Sequence, residues 1–124
     1  MLDVEVIGDA LPADQVRSAA VLAAASAGVG DGHVAIEFVD AARIAELNER
    51  HRGKPGPTDV LSFPIDEEVA HGPRELGDVV ICPEHTTDLL EAVVHGVLHL
   101  TGMDHETDDG EMLVVQAEIL GWVR

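Results

Sequence analysis

The sequence predicts a single-domain α+β fold in which helices cover a mixed sheet of about four strands. The chain has 124 residues, which suits one domain spanning 1–124. Hydrophobic residues make up 46% of it, enough for a core that must consist mostly of Val, Leu, Ile and Ala. Strand-like and helix-like hydrophobic patterns follow one another in the order β-α-β-α-β-β-α-α. Together these features favour one sheet covered by helices.

The first half of the chain predicts two strands and two helices. Alternating apolar residues indicate strands at 2–7 and 33–39. Between them, a proline and an aspartate are typical of a helix start, and an alanine-rich helix is expected over 12–28. Asp40 can cap a short second helix over residues 41 to about 50.

The second half predicts two further strands and two further helices. A strand is expected at 59–65, where a proline favours a sheet edge, and another at 77–82, after a polar loop. A mostly apolar helix follows, with Thr86 or Thr87 as its cap. The last helix is expected to begin with a capping box at Asp108.

The negative charge of the chain limits where it can bind nucleic acid. Seven basic and 24 acidic residues give a formal net charge of −17, which is typical of an acidic cytosolic protein. The cations are nevertheless concentrated, since four of the seven lie within twelve residues: Arg43, Arg50, Arg52 and Lys54. Two Phe, one Trp and no Tyr leave little material for aromatic base-stacking platforms. The basic cluster is therefore the obvious place for an anionic ligand.

Cysteine content and the N-terminal sequence favour the cytoplasm. Cys82 is the single cysteine, so no internal disulfide can form, which suits a reducing compartment. The N-terminus is acidic and is unlike a signal peptide. The apolar stretch at 18–30 is shorter than the ~20 residues that a membrane span needs, so no membrane association is expected.

Three histidines in H-G-V-L-H-L-T-G-M-D-H predict a metal site. His95 and His99 are four residues apart and would share one face of a helix. Gly102 can end that helix in a left-handed turn, so that His105 returns to the same point. Three imidazoles with a fourth position open are typical of a catalytic zinc. We therefore expect one Zn²⁺ per chain, on a central helix of a zincin-like domain.

The same string matches the metzincin spacing H-x-x-x-H-x-x-G-x-x-H but lacks its general base. Metalloproteases carry Glu directly after the first histidine, whereas this chain has Gly96. Bound zinc lowers the pKa of water to about 7, so hydroxide is present near neutral pH without a general base. A general base is less necessary for a phosphodiester than for a peptide, and the missing Glu therefore favours a phosphodiester substrate. Asp104 has three alternative roles: orienting a ligand imidazole, assisting the water, or capping the turn.

The remaining histidines and the cysteine are not expected to bind metal. Four histidines have no partner at ligand spacing and are interpreted as loop or surface residues, although His51 lies inside the basic cluster: His33, His51, His71 and His85. Cys82 is interpreted as a core residue at a strand end, because a fourth protein ligand would close the metal site.

Two motifs make the chain resemble the bacterial YbeY family of rRNA-maturation endoribonucleases. One is the histidine string at 95–105, and the other is L-N-E-R-H-R-G-K-P-G-P-T-D-V-L-S-F at 47–63. A weaker match is G-D-V-V-I-C at 77–82. The resemblance spans about residues 44–120. One departure is that only twelve residues separate Cys82 from His95, where the family usually has a longer helical insertion.

The resemblance implies a metal-dependent, single-strand-specific endoribonuclease. It implies a role in maturation of the 3′ end of 16S rRNA and in ribosome quality control, with the small subunit or its proteins as partners. His95, His99 and His105 match the family's zinc ligands, and Arg52 matches its functional arginine. Arg52 would stabilise charge on the phosphate, with Arg50 and Lys54 as additional candidate phosphate contacts.

Two other functions remain open at this point. One is a metal-stabilised ribosome-binding or assembly module with little catalysis, which the scarcity of acid and base residues around the site would favour. The other is a metallopeptidase with an unusual base, which Gly96 disfavours. The oligomeric state does not follow from the sequence.

Overall fold

Four strands form one mixed sheet in the computed structural model, which describes residues 2–65, 75–103 and 109–124. The sheet order is β1-β2-β4-β3. β1 pairs in parallel with β2 and β2 with β4, whereas β3 is antiparallel to β4 and lies at the edge. The strands are β1 (Leu2–Ile7), β2 (Gly32–Phe38), β3 (Val60–Pro64) and β4 (Glu75–Ile81). The α+β prediction with a four-stranded mixed sheet is confirmed.

Four helices and one 3₁₀ turn complete the described part of the chain. The helices are α1 (Ala13–Ser26), α2 (Ala41–Arg52), α3 (Leu89–Leu100) and α4 (Glu111–Val123), and the turn is Pro83–His85. Within the described residues no helix is both long enough and apolar enough to cross a bilayer.

The helices cover the two faces of the sheet unequally. On one face α1, α3 and α4 bury the main core, to which β2 and β4 contribute Val34, Ile36, Val79 and Ile81. On the other face α2 covers only β3 and the end of β4, through a smaller cluster around Ile44 and Leu61. Burial of aliphatic side chains on both faces provides the main stabilisation of the fold. α3 lies inside the larger core, so the residues it carries are held rigidly.

Several helix ends differ from the sequence predictions, including that of α1, which ends at Ser26 and not at residue 28. α2 runs to Arg52, two residues further than expected, and ends at Gly53 in a left-handed conformation. α3 begins after Asp88, whose carboxylate accepts a hydrogen bond from the Glu91 N–H at 3.1 Å, so the prediction of a threonine cap is wrong. α4 begins at Glu111, later than a capping box at Asp108 requires, although residues 104–108 lie outside the described structure, as does the loop at 66–74.

Candidate metal centre and phosphate-binding groove

His95 and His99 face each other on α3. They lie one turn apart, and their Nε2 atoms are separated by 3.0 Å. The ring centroids are 4.6 Å apart in an edge-to-face arrangement. Eight of the twelve residues of α3 are buried, whereas the two histidines lie half-buried on the side of the helix that opens to the surface. The predicted pair of imidazoles is therefore brought together on one face.

The opposite nitrogen of each ring is held by a carbonyl oxygen. His95 Nδ1 lies 2.8 Å from Gln116 Oε1 on α4, and His99 Nδ1 lies 3.0 Å from the backbone oxygen of Met103. Because a carbonyl oxygen only accepts, Nδ1 carries the proton in both rings. Each Nε2 then has its lone pair directed into the site. This arrangement, with Nδ1 held by a carbonyl oxygen and Nε2 directed into the site, is typical of metal-binding histidines.

The turn after α3 explains how Met103 reaches His99. Gly102 has a φ of +100°, a conformation that favours glycine. Its N–H donates to the His99 oxygen at 3.0 Å, and the Met103 N–H donates to the Leu98 oxygen at 3.2 Å. These two bonds form a Schellman motif, which confirms the predicted left-handed helix end. The turn that ends the helix also supplies the acceptor that orients one imidazole.

The histidine pair fits a zinc ion. Two nitrogens bound to one tetrahedral zinc at ~2.0–2.1 Å would be about 3.3 Å apart, close to the 3.0 Å between the Nε2 atoms. His105, the predicted third ligand, and Asp104 lie outside the described residues. Among the residues that are described, no group of three His, Cys, Asp or Glu side chains could hold a metal. The three-histidine site thus remains a prediction, with two of its members in suitable geometry.

Gly96 lies where α3 touches the sheet. A Cβ added there would come within 2.4 Å of Val79 Cγ1 on β4. The position that carries the general base in metalloproteases is therefore directed at the core and has no room for a side chain. Both the residue type and the packing exclude the usual peptidase base at this position.

One open groove of about 1540 Å³ connects the histidine pair with the basic cluster. It follows the edge strand β3, all five residues of which line it. His95 and His99 line it from α3, and Arg43, His51 and Arg52 line it from α2. The predicted catalytic arginine and the two described ligands thus share one groove, whereas Arg50 and Lys54 are absent from its lining.

Ion pairs distinguish the clustered arginines. Arg43 and Arg50 both bind Glu46, at 3.0 and 3.2 Å. Arg52 forms no ion pair with any residue in the described ranges, and it is exposed at the end of α2. Of the two arginines in the groove, Arg52 is therefore the one whose charge is available to an anion.

Comparison with known proteins identifies the family. A family model described as endoribonuclease YbeY matches residues 12–123. The chain belongs to the YbeY family. Proteins named endoribonuclease YbeY from Beutenbergia cavernae and Salinispora tropica are each 43% identical to it, and the matches cover 70% of this chain and 71% of the relative. The solution structure of a Thermotoga maritima protein is similar with a TM-score of 0.58 and 28% identity, covering 97% of this chain and 88% of that one.

The other histidines of this YbeY-family chain differ in their surroundings. His51 and His85 are exposed, as predicted, but both also line the groove. His33 lies at the start of β2, where its Nδ1 is 2.8 Å from a Glu75 carboxylate oxygen, and that hydrogen bond raises the pKa of the imidazole. Cys82 is fully buried in the cluster beneath α2, as expected of a core residue. His71 lies outside the described residues.

Gln116 is the site residue that the sequence prediction missed. It is 8% exposed, and its amide oxygen holds His95. A signal was present, because Gln116 is a polar residue on the apolar face of the last helix, four residues after Met112 and four before Leu120. A buried amide at such a position needs a hydrogen-bond partner, but the sequence does not say which one.

Proposed function

We propose that this YbeY-family chain is a zinc-dependent endoribonuclease that cleaves single-stranded RNA. The observation that carries the proposal is the pair of Nε2 atoms 3.0 Å apart in a groove that Arg52 also lines. The name shared by the relatives, endoribonuclease YbeY, supports RNA as the substrate.

His95 and His99 would hold the metal, with His105 as the third ligand proposed from the motif. When bound, zinc would act as a Lewis acid and bring the pKa of a water molecule toward about 7. The chain prepares this chemistry by fixing both imidazoles through Gln116 and Met103. Because those acceptors hold Nδ1 protonated, the lone pairs on Nε2 are directed at the metal position without further rearrangement.

Arg52 would bind the phosphate at which the RNA strand is cleaved. Its planar guanidinium can donate two hydrogen bonds to non-bridging oxygens and stabilise the charge that develops on them. The nucleophile is either water or the neighbouring ribose 2′-hydroxyl. Gly96 cannot take part in proton transfer. Asp104, next to the proposed third ligand, is one candidate for a carboxylate that assists the water or orients an imidazole.

The proposed cellular role follows from the family resemblance. We infer action on ribosomal RNA in the cytoplasm, in maturation of the 16S 3′ end and in ribosome quality control. An acidic chain with few available cations binds free RNA weakly, so the ribosomal small subunit or one of its proteins is the expected partner.

Cleavage of an unstructured RNA by three variants tests the proposal. His99→Ala removes a ligand, so cleavage should fall to background and bound zinc should be lost. Arg52→Glu should lower the cleavage rate by about 100-fold or more, since it removes charge stabilisation, while zinc stays bound. Arg17→Glu is the matched control, because Arg17 lies on α1, pairs with Asp14 and is not part of the groove lining. Equal residual cleavage in all variants would indicate a contaminating nuclease and overturn the proposal.

The alternative function is a metal-stabilised ribosome-binding module with little catalysis. The observation that favours it is Gly96 at the position of the usual base. Under this alternative, chelation should abolish association with ribosomes while the RNA stays intact whether or not zinc is bound. Zinc-dependent RNA cleavage by the wild type, lost in His99→Ala, would exclude it.

A further inference from the structure

An aromatic pair lies on the groove wall beside Arg52. The ring centroids of His51, at the end of α2, and Phe63, on β3, are 4.8 Å apart with their planes inclined by 58°. Phe63 is half-buried in the cluster beneath α2, whereas His51 is exposed. Phe63 therefore supports the histidine ring from the protein side, and the ring presents its remaining surface to the groove. This is an aromatic surface in a chain whose composition suggested almost none.

The charge of the groove restricts what can bind beside that ring. Among the residues that the structure describes, its lining contains five carboxylates, Glu37, Asp59, Asp78, Asp88 and Glu91, and two arginines. Arg43 is paired with Glu46, so Arg52 is the one of these two described arginines whose charge can meet an anion. A run of several phosphates would be repelled along most of the groove. Recognition of RNA must therefore combine one phosphate with contacts that carry no charge.

We propose that His51, supported by Phe63, forms a stacking subsite for one unpaired nucleobase next to the phosphate bound by Arg52. The inference rests on the proposed action on RNA and assigns the residues that recognise a base. Every base has an apolar π-face that can stack on an aromatic ring, so the subsite tolerates any sequence. A base inside a duplex has both faces covered by its neighbours, and the subsite thereby selects unpaired nucleotides.

Removal of a base and removal of the ring test the subsite together. The ligand is a short single-stranded RNA, compared with a set of copies that each carry one abasic nucleotide at a different position along it. Cleavage rates are measured with RNA, and affinity is measured by fluorescence anisotropy with 2′-O-methyl copies. In the wild type, loss of the stacked base should reduce affinity about tenfold or more at one position, in line with stacking of ~1–3 kcal/mol per base.

We call the loss of affinity caused by the abasic nucleotide the abasic penalty. His51→Ala should abolish this penalty, because without the imidazole the base makes no stacking contact that its removal could take away. His51→Tyr should restore it, since an aromatic face is again present. His85→Ala is the matched control: His85 is also exposed in the groove, and its removal should leave the wild-type penalty intact. Melting temperatures of all variants establish that each protein is folded.

The outcomes separate this inference from the proposed activity. An abasic penalty in His51→Ala equal to that of the wild type overturns the stacking subsite, whether or not the RNA is cleaved. A wild type that cleaves no RNA but shows the penalty, lost in His51→Ala, overturns the ribonuclease proposal and retains the subsite. Absence of any abasic penalty in the wild type overturns the subsite as well.

Discussion

At the scale of single residues, the candidate site depends on atoms that do not touch the metal position. Gln116 Oε1 lies 2.8 Å from His95 Nδ1, and the amide is almost fully buried. A hydrogen bond to the second ring nitrogen fixes the tautomer and the orientation of a metal-binding imidazole and makes it more basic. Gln116 is thus a positioning residue for His95.

Replacement of Gln116 should weaken zinc binding without removing a ligand. Gln116→Leu removes the acceptor and leaves the Nδ1–H of His95 without it, so the affinity for zinc should fall by about 10–100-fold. Gln116→Glu keeps an acceptor at the same place and should bind zinc at least as tightly as the wild type. Competition with a chromogenic chelator measures both affinities. Identical affinity in the wild type and Gln116→Leu would contradict the positioning role.

Site residues whose partners lie on the same helix could be predicted from their spacing in the sequence. Site residues whose partners lie on another helix or strand could not. The pair His95 and His99 follows from a four-residue interval, and Gly102 follows from the need to end the helix after them. Gln116 is 21 residues from His95, and only the packing of α4 on α3 brings them together. The contact between His51 and Phe63 likewise requires the docking of α2 against β3.

At the scale of elements, α3 approaches β4 so closely that a glycine is required between them. The Val79 methyl groups occupy the space that a Cβ at position 96 would need, with Cγ1 at 2.4 Å and Cγ2 at 3.0 Å. The helix carries the proposed ligands His95 and His99, so its distance from the sheet sets their position relative to β3 and the groove. Gly96 is therefore a packing residue as well as the position where a base is missing.

Gly96→Ala should destabilise the protein, whereas Gly121→Ala should not. Both place one methyl group in a helix, but a Cβ at Gly121 meets no atom within 4 Å. Overpacking typically costs about 1–3 kcal/mol, and alanine in an exposed helix position gains up to about 1 kcal/mol over glycine. Because both substitutions gain the helix propensity of alanine, the two variants should differ by the overpacking cost, about 1–3 kcal/mol in the free energy of unfolding in urea. Equal stability would show that α3 can move away from Val79 without cost.

The order of elements could be predicted, but their arrangement in the sheet could not. Hydrophobic alternation and helix caps indicate where strands and helices lie along the chain, and Pro64 indicates that β3 is an edge strand. The pairing of β2 with β4, which leaves β3 outside, depends on long-range contacts. The cap of α3 could not be predicted, because Asp88 and both threonines before it are suitable capping side chains and only the folded helix shows which of them lies at its start.

At the scale of the whole molecule, negative charge is concentrated on the part of the sheet that α2 leaves uncovered. His33 lies there between two carboxylates, with Nδ1 2.8 Å from Glu75 and Nε2 3.5 Å from Glu5. The hydrogen bond to Glu75 raises the pKa of His33, and Asp3 and Glu5 add to the effect. Burial, followed by the charge of Glu75, raises the pKa of Asp78 on the same face. Protonation gives His33 a positive charge that the carboxylates attract, and it removes from Asp78 a negative charge that burial and Glu75 disfavour.

Stability should fall as the pH rises above about 6.5, the ordinary pKa of histidine. The pKa of His33 is raised in the folded state. The protonated imidazole therefore contributes fully to the free energy of unfolding below about pH 6.5, and this contribution is lost as the pH rises through the pKa of the folded state. Urea unfolding at pH 6 and pH 8.5 measures the change. His33→Gln and Glu75→Gln should each make the free energy of unfolding less dependent on pH. A pH dependence identical to that of the wild type in both variants would contradict the assignment.

Because α3 is buried in the core, the candidate site should keep its shape whether or not a metal is bound. A zinc finger unfolds when its metal is removed, because the ion supplies most of its folding free energy. Here eight residues of the helix that carries His95 and His99 are buried, seven of them in the main core, and hydrophobic packing holds the two imidazoles in place. Exposing that helix would require opening most of the molecule. If the proposed zinc binds there, one folded chain would release its metal and bind another repeatedly, so occupancy would follow the supply of free ions and not the rate of protein synthesis.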